Sequence, residues 1–182
     1  AMRALSTHAD PDMACRPFDQ ARDGFVVSGG AVALVLERAS LAKRAPLARL
    51  LGWGQAADGY HVASPHPEGI GIVTAMKRAL QFAKVDEAAI DYVNAHATST
   101  PAGDRAEALA LRSVFGSASP AVVSTKGLTG HGLSLSGVLE AALTVLSLMG
   151  GFLPGNRNLK SPDEACEGLC LPTESMDADV KL

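Results

Sequence analysis

Apolar and polar positions change their period several times along the chain, and each change marks an element. Residues 10–23 (DPDMACRPFDQARD) are polar, carry two prolines and show no period, which predicts a long ordered loop. Residues 24–27 and 31–36 read as two short runs of β character broken by Ser28-Gly29-Gly30, the pattern of an antiparallel hairpin with a glycine turn. A short helix over 40–44, a strand over 48–54 and a loop over 56–69, which carries Tyr60, His61 and His66, complete the irregular first third.

The pattern then becomes regular. Val73, Met76, Ala79, Leu80 and Ala83 fall at helical spacing and predict a helix over 72–83. Residues 85–90 lead into a short apolar strand over 92–95. Ala106, Leu109, Ala110 and Val114 share one face of a helix predicted over 103–115, stopped by Gly116. A second strand follows over 121–125. Residues 135–149 are apolar nearly all round, which predicts a helix buried on every side and ended by Gly150-Gly151. The turn-rich tail, 156–182, has room for one or two strands near 169–172. Strands alternating with helices define an α/β class with parallel strands.

Composition narrows the function more than the fold. The 182 residues are 47% hydrophobic and 19% charged, enough for a sizeable core, and the formal net charge is −3 with no basic stripe, which argues against nucleic acid as a partner. The longest apolar stretch, 137–153, contains Glu140, Thr144 and Ser147 and is expected to be too short to span a membrane. No apolar secretory core opens the chain. Three cysteines, an odd number, read as reduced and cytoplasmic, and Cys166 and Cys170 have no second His or Cys pair that would make a metal site.

Candidate chemistry gathers at two strand ends. The strand over 92–95 runs into His96-Ala97-Thr98-Ser99-Thr100-Pro101, and the strand over 121–125 runs into Lys126-Gly127-Leu128-Thr129-Gly130-His131. One helix separates them, so the two strands should be parallel neighbours with both histidines at their carboxyl ends, the edge where α/β sheets bind ligands. Taken singly, His96 or His131 is an ordinary loop histidine, Lys126 a solvated charge and Glu107 part of an exposed helix face. Their convergence is what singles them out, with Glu107 close enough in the first turns of its helix to pair with Lys126. Three other motifs fail on their residues. Gly130-His131-Gly132 lacks the third glycine of a dinucleotide loop, Gly132-Leu133-Ser134-Leu135-Ser136 lacks the last glycine of a nucleophile elbow, and no phosphate-binding Gly-Lys-Ser/Thr loop is present.

The string from Asn94 to Pro101, followed by Gly103-Asp104, Glu107, Ser124-Thr125-Lys126 and Thr129-Gly130-His131, resembles the β-ketoacyl-acyl-carrier-protein synthases, with the closest likeness to bacterial synthases I and II. Ala4-Leu5-Ser6-Thr7, Arg16-Pro17-Phe18-Asp19 and Arg22-Asp23-Gly24-Phe25-Val26 extend the likeness upstream. The resemblance implies a thiolase-like fold of two stacked α/β halves, with residues 1–46 the end of the first half and 47–182 most of the second. It implies an acyltransferase that condenses an acyl thioester with malonyl-acyl carrier protein in fatty-acid or related polyketide or polyene synthesis. It further implies no cofactor, a homodimer or a heterodimer with another ketosynthase-like chain, and acyl carrier protein as partner. By position, His96 and His131 match the family's two histidines, Lys126 its lysine and Glu107 the acid that pairs with it, while Thr98, Thr100 and Thr129 are expected to contact substrate. The family's nucleophilic cysteine and its glycine-rich C-terminal loop have no counterpart here. Ala97 stands where glycine is usual, and Ser134-Leu135-Ser136-Gly137 replaces a Gly-Ala-Ala-Gly run. These departures suggest an incomplete synthase, inactive alone, and keep open an alternative: a non-condensing partner subunit of the chain-length-factor kind.

Overall fold

A computed structural model describes residues 4–62, 64–116 and 118–182. Its centre is a parallel pair, β1 (Tyr92–Asn94) and β2 (Ala121–Val123), in the register Tyr92↔Ala121, Val93↔Val122 and Asn94↔Val123. Between them in sequence runs α2 (Pro101–Phe115), and α1 (Ile70–Ala83) packs on it. Val122 and Val93 join Phe18, Ala108, Leu111 and Phe115 in one apolar cluster, while Tyr92 and Val123 join Leu153 and Val180 in a second. Alternate residues thus enter different cores, and strands covered on both faces carry the continuous apolar runs that predicted them.

α2 starts well for reasons visible in its sequence. Pro101 takes the first helical position, where its missing N–H costs nothing, and Gly116 closes the helix at φ 54°. Its buried stripe of Ala106, Ala108, Ala110, Leu111 and Phe115 uses small residues for close approach. At Gly69, whose φ is 63°, an added Cβ would lie 3.0 Å from the Ala110 Cβ, so the entry to α1 sits directly on α2.

Four expectations need correction. Residues 24–36 form no hairpin: Phe25 pairs with Leu5 and Val27 with His131, both in parallel, and residues 31–36 join no strand. A tight primed turn needs positive φ, and neither Gly29 nor Gly30 adopts it, so the chain does not reverse there. Residues 40–44 make a turn rather than a helix, with the Leu41 and Ala42 N–H groups both donating to the Arg38 carbonyl. So few residues before Pro46 cannot repay helix nucleation. Residues 48–54 form no strand and have no strand partner among the described residues. Gly52 and Gly54 lie flat on α1, an added Cβ on Gly52 meeting the Ala79 carbonyl at 2.5 Å, while Leu50 and Trp53 face outward.

The fourth correction concerns α4 (Ser136–Gly150), which follows a single turn of 3₁₀ helix, Leu133–Leu135. Only Ser136 and Ser147 are buried, whereas Leu146 and Met149 are more than half exposed. Glu140, Thr144 and Ser147, four and three residues apart, make one stripe, and the described residues cover that polar stripe. Asn94 Nδ2 donates to the Glu140 carbonyl and to Thr144 Oγ1 from β1. By length and composition alone Leu133–Gly150 suffices to cross a bilayer, beyond what the sequence suggested, yet its polar stripe packs on a strand. The tail strands fall at β3 (Phe152–Leu153) and β4 (Met176–Asp177), which are antiparallel. Near 169–172 only Cys170 bridges, to Ala121.

Candidate active site

The two loops anticipated at the carboxyl ends of β1 and β2 do meet. The rings of His96 and His131 lie 5.3 Å apart, centroid to centroid, at 82° to one another. Phe25 presents its ring to His131 from another side at 4.7 Å.

The loop after β1 is held through its backbone. Glu107, half-buried on the second turn of α2, turns back so that Oε1 accepts the His96 N–H at 2.8 Å and Oε2 the Ala97 N–H at 2.7 Å. Burial, with the Asp104 charge beside it, outweighs these bonds and pushes the Glu107 carboxyl up to about 7. Ser124 Oγ donates to the Ala97 carbonyl at 2.8 Å and ties the loop to the end of β2. Thr98 and Thr100 share a hydroxyl–hydroxyl hydrogen bond of 3.0 Å, which leaves one O–H of the pair free to donate. Ser99 sits in the left-handed region at φ 68°, with Oγ accepting the Arg16 N–H at 3.0 Å.

A buried ionic framework supports this loop. Asp104 is 1% exposed and accepts the Phe18 N–H at 2.9 Å. Arg22 Nε approaches Asp104 to 3.6 Å, its Nη1 meets Asp163 at 2.8 Å, and its Nη2 donates to the Pro101 carbonyl. Residues 16–23 are thereby clamped to the start of α2. Burial raises the Asp104 carboxyl to about 6 against the pull of these partners.

The loop after β2 is built differently. Thr125 leads into the one-turn helix α3 (Lys126–Thr129), and Lys126 is 1% exposed. Its ammonium pairs with Glu140 of α4, not with Glu107 as the sequence suggested. The physical reason is orientation: the Glu107 carboxylate is turned back onto two backbone N–H groups of the first loop, while α4 presents its one carboxylate to Lys126. Thr129 Oγ1 donates within its own loop, to the Gly130 carbonyl at 2.9 Å. Gly130 adopts φ 68° and ψ −170°, a glycine-only conformation, and an added Cβ would lie 2.9 Å from the Val26 carbonyl oxygen. His131 is then pinned on both sides of its backbone, its N–H to the Val26 carbonyl at 2.8 Å and its carbonyl to the Ser28 N–H at 3.1 Å. Its ring nitrogen Nδ1 lies 2.8 Å from Ser136 Oγ.

Electrostatics keep both rings neutral. Dense surroundings, then the positive charge of Lys126 and the neighbouring His131, pull His96 down to about 4, although its surface remains open to solvent. His131 is lowered by its burial and by Lys126. At pH 7 each imidazole therefore carries one N–H and one lone pair. None of the cysteines suits nucleophilic work: burial pushes Cys15 and Cys166 up to about 11, and Cys170 bridges to the first residue of β2, the end away from the histidines.

Sequence reasoning thus placed His96, His131, Lys126 and Glu107 together, and missed Glu140 and Ser136. Glu140 is the lone charge of α4, signal enough for a buried partner. Asn156 was also missed: 1% exposed, it accepts the Ser124 N–H at 2.9 Å and donates to the Val122 and Pro172 carbonyls, fixing the end of β2.

Paired neutral histidines at adjacent strand ends thus lie beside a buried Lys–Glu pair. The chain belongs to the β-ketoacyl synthase family: the family's C-terminal domain matches residues 47–160 and its N-terminal domain residues 1–42. Among its relatives is 3-oxoacyl-[acyl-carrier-protein] synthase 2 of Coxiella burnetii, 41% identical over 99% of this chain and 45% of the relative. A β-ketoacyl synthase from Burkholderia phymatum STM815 superposes with a TM-score of 0.92 at 38% identity, over 98% of this chain and 44% of that one. The ishigamide ketosynthase/chain length factor does so with a TM-score of 0.87 at 34% identity, over 96% and 43%. The chain thus spans less than half the length of the relatives it matches, and its fold is their thiolase-like mixed α/β architecture.

Proposed function

We propose that this chain contributes the histidine half of a condensing site that joins an acyl thioester to malonyl-acyl carrier protein with loss of carbon dioxide. The observation that carries the reading is the pair of neutral imidazoles, 5.3 Å apart, at the carboxyl ends of two paired parallel strands. When the malonyl carboxylate leaves as carbon dioxide, the electrons of the broken C–C bond pass into an enolate whose charge collects on the thioester oxygen. Two N–H donors converging there stabilise that charge, and donors placed in advance in a dry site contribute more than the same bonds in water. The enolate carbon then attacks an acyl thioester carbonyl, and the thiolate leaves. That thiol comes from none of Cys15, Cys166 and Cys170, given their surroundings.

In this reading Lys126 and Glu140 supply a near-neutral pair that holds α3 against α4, Glu107 sets the His96 loop, and the spare Thr98–Thr100 hydroxyl and Thr129 line the carrier-borne substrate. An acyl carrier protein, a ketosynthase-like partner chain and a cytoplasmic setting belong to the same proposal. The second reading, a chain-length-factor-like partner subunit, draws on the likeness to the ishigamide ketosynthase/chain length factor. The retained neutral histidines favour condensation.

Replacing either histidine by alanine in the condensation-competent protein should slow malonyl decarboxylation by about 10²–10³-fold, the loss when one oxyanion donor is removed. Acyl transfer to the nucleophilic thiol forms no enolate and should change little. A folded His131→Ala protein that decarboxylates at the parental rate would sink the condensing reading.

A further inference from the structure

We propose that Ser136 is a positioning residue for His131, locking the ring as the Nε2–H tautomer; this rests on the donor role of His131 given above. Ser136 Oγ lies 2.8 Å from His131 Nδ1, with the serine 3% and the histidine 8% exposed. A hydroxyl and a neutral imidazole can bond in either direction, and the direction decides the chemistry. If Nδ1 carried the hydrogen, Nε2 would hold a lone pair and act as a base. If the hydroxyl donates, Nδ1 accepts, and Nε2 carries the hydrogen that an enolate needs.

The surroundings of Ser136 select the second arrangement. Nδ1 is the one partner its hydroxyl has among the described residues, so a buried O–H has this acceptor or none, and an unmade buried hydrogen bond is the costlier state. The Ser136 backbone is fixed, because it is the first residue of α4, directly after the 3₁₀ turn Leu133–Leu135. The opposite face of the ring meets no competing hydrogen bond: Phe25 offers a ring edge contact and His96 stands perpendicular. The backbone bonds to Val26 and Ser28 fix where the ring starts, and Ser136 fixes its rotation and its proton. His96 has no such partner on either ring nitrogen among the described residues, which makes the control of His131 local to this serine.

The test is Ser136→Ala, with Ser136→Thr as the variant that keeps a hydroxyl, in the condensation-competent protein labelled with ¹⁵N-histidine. In the parent, two-bond ¹H–¹⁵N correlations at pH 7 should show His131 Nδ1 as an unprotonated acceptor and Nε2 as protonated. In Ser136→Ala the two forms should mix, and malonyl decarboxylation should fall about 10–100-fold, the size of loss known where the hydrogen-bond partner that orients a metal-bound histidine is removed. Acyl transfer should be spared, and Ser136→Thr should restore both readouts. A Ser136→Ala protein whose His131 spectrum matches the parent overturns the proposal whatever its rate. Mixed tautomers with parental decarboxylation would leave the serine's hold on the ring standing and overturn instead the donor role of His131.

Discussion

The two histidine loops solve one positioning problem by opposite means. After β1, the backbone is held and the ring is left open: Glu107 takes the N–H groups of His96 and Ala97, Ser124 takes the Ala97 carbonyl, and the His96 side chain makes no hydrogen bond among the described residues. After β2, the ring itself is held, between Ser136 and the Phe25 edge, above an ion pair that crosslinks α3 to α4. The first loop borrows its rigidity from α2, which it directly precedes. The second runs through a 3₁₀ turn into α4, a helix as long as α2, and its Lys126 is anchored on Glu140 within that helix. One loop is held by its backbone, the other by its ring and a buried ion pair, and they should fail differently.

The largest difference should come from Glu140→Ala. Lys126 is 1% exposed, and removing its partner leaves a buried charge uncompensated, a loss of about 3–5 kcal/mol. Replacing both, as Lys126→Met with Glu140→Ala, removes the charge as well and should recover a good part of that loss. Denaturant unfolding of the two variants measures it. Equal stability in both would mean that the ion pair does not anchor the second loop.

Distance along the chain decides what was legible beforehand. Elements whose partners lie close in sequence were read from their residues: β1, α2 and β2 make one local unit, and α1 packs on it. Its histidines followed because strand ends locate them. Residues 24–36 and 48–54 were misread as paired strands, since β patterning shows that a segment can join a sheet without showing that a neighbour exists. Glu107 was assigned to Lys126 from its place in the first turns of its helix, yet its carboxylate is turned onto the His96 and Ala97 N–H groups, and the ammonium meets Glu140 instead. Glu140 and Ser136 sat in a helix read as apolar on every side, and helical spacing of 140, 144 and 147 was the signal for its covered face.

A smaller effect separates the loops by pH. Glu107 titrates near 7 in the fold against an ordinary 4.5, so its contribution to stability is fully present below pH 4.5 and is lost as pH rises through about 7. His96 runs the other way: lowered from 6.5 to about 4, it contributes above pH 6.5 and loses that contribution as pH falls through about 4. Between pH 4.5 and 6.5 the two oppose each other. Relative to the parent, Glu107→Gln should therefore lose Tm on acidification across this window, and His96→Gln should gain it. Parallel Tm–pH curves for all three proteins would remove the electrostatic distinction.

The smallest effect lies in two left-handed residues, Ser99 after β1 and Gly130 after β2. The second loop uses Gly130 at φ 68°, as the packing against Val26 and Ser28 demands. The first uses Ser99 at the same φ, fully buried, and offsets the strain with the bond from the Arg16 N–H to its hydroxyl. A left-handed non-glycine residue costs about 1–2 kcal/mol, and a neutral hydrogen bond returns about 1 kcal/mol. Ser99→Ala keeps the strain and loses the bond, so it should cost about 1 kcal/mol. Ser99→Gly loses the bond and the strain together, offset by about 0.5–1 kcal/mol for the freer unfolded chain. In most structured positions glycine is less stable than alanine. Here the order should be level or reversed, and urea unfolding of the two variants decides it. Glycine less stable than alanine by a full kcal/mol would show that the first loop carries no backbone strain, and that its serine is held only by packing.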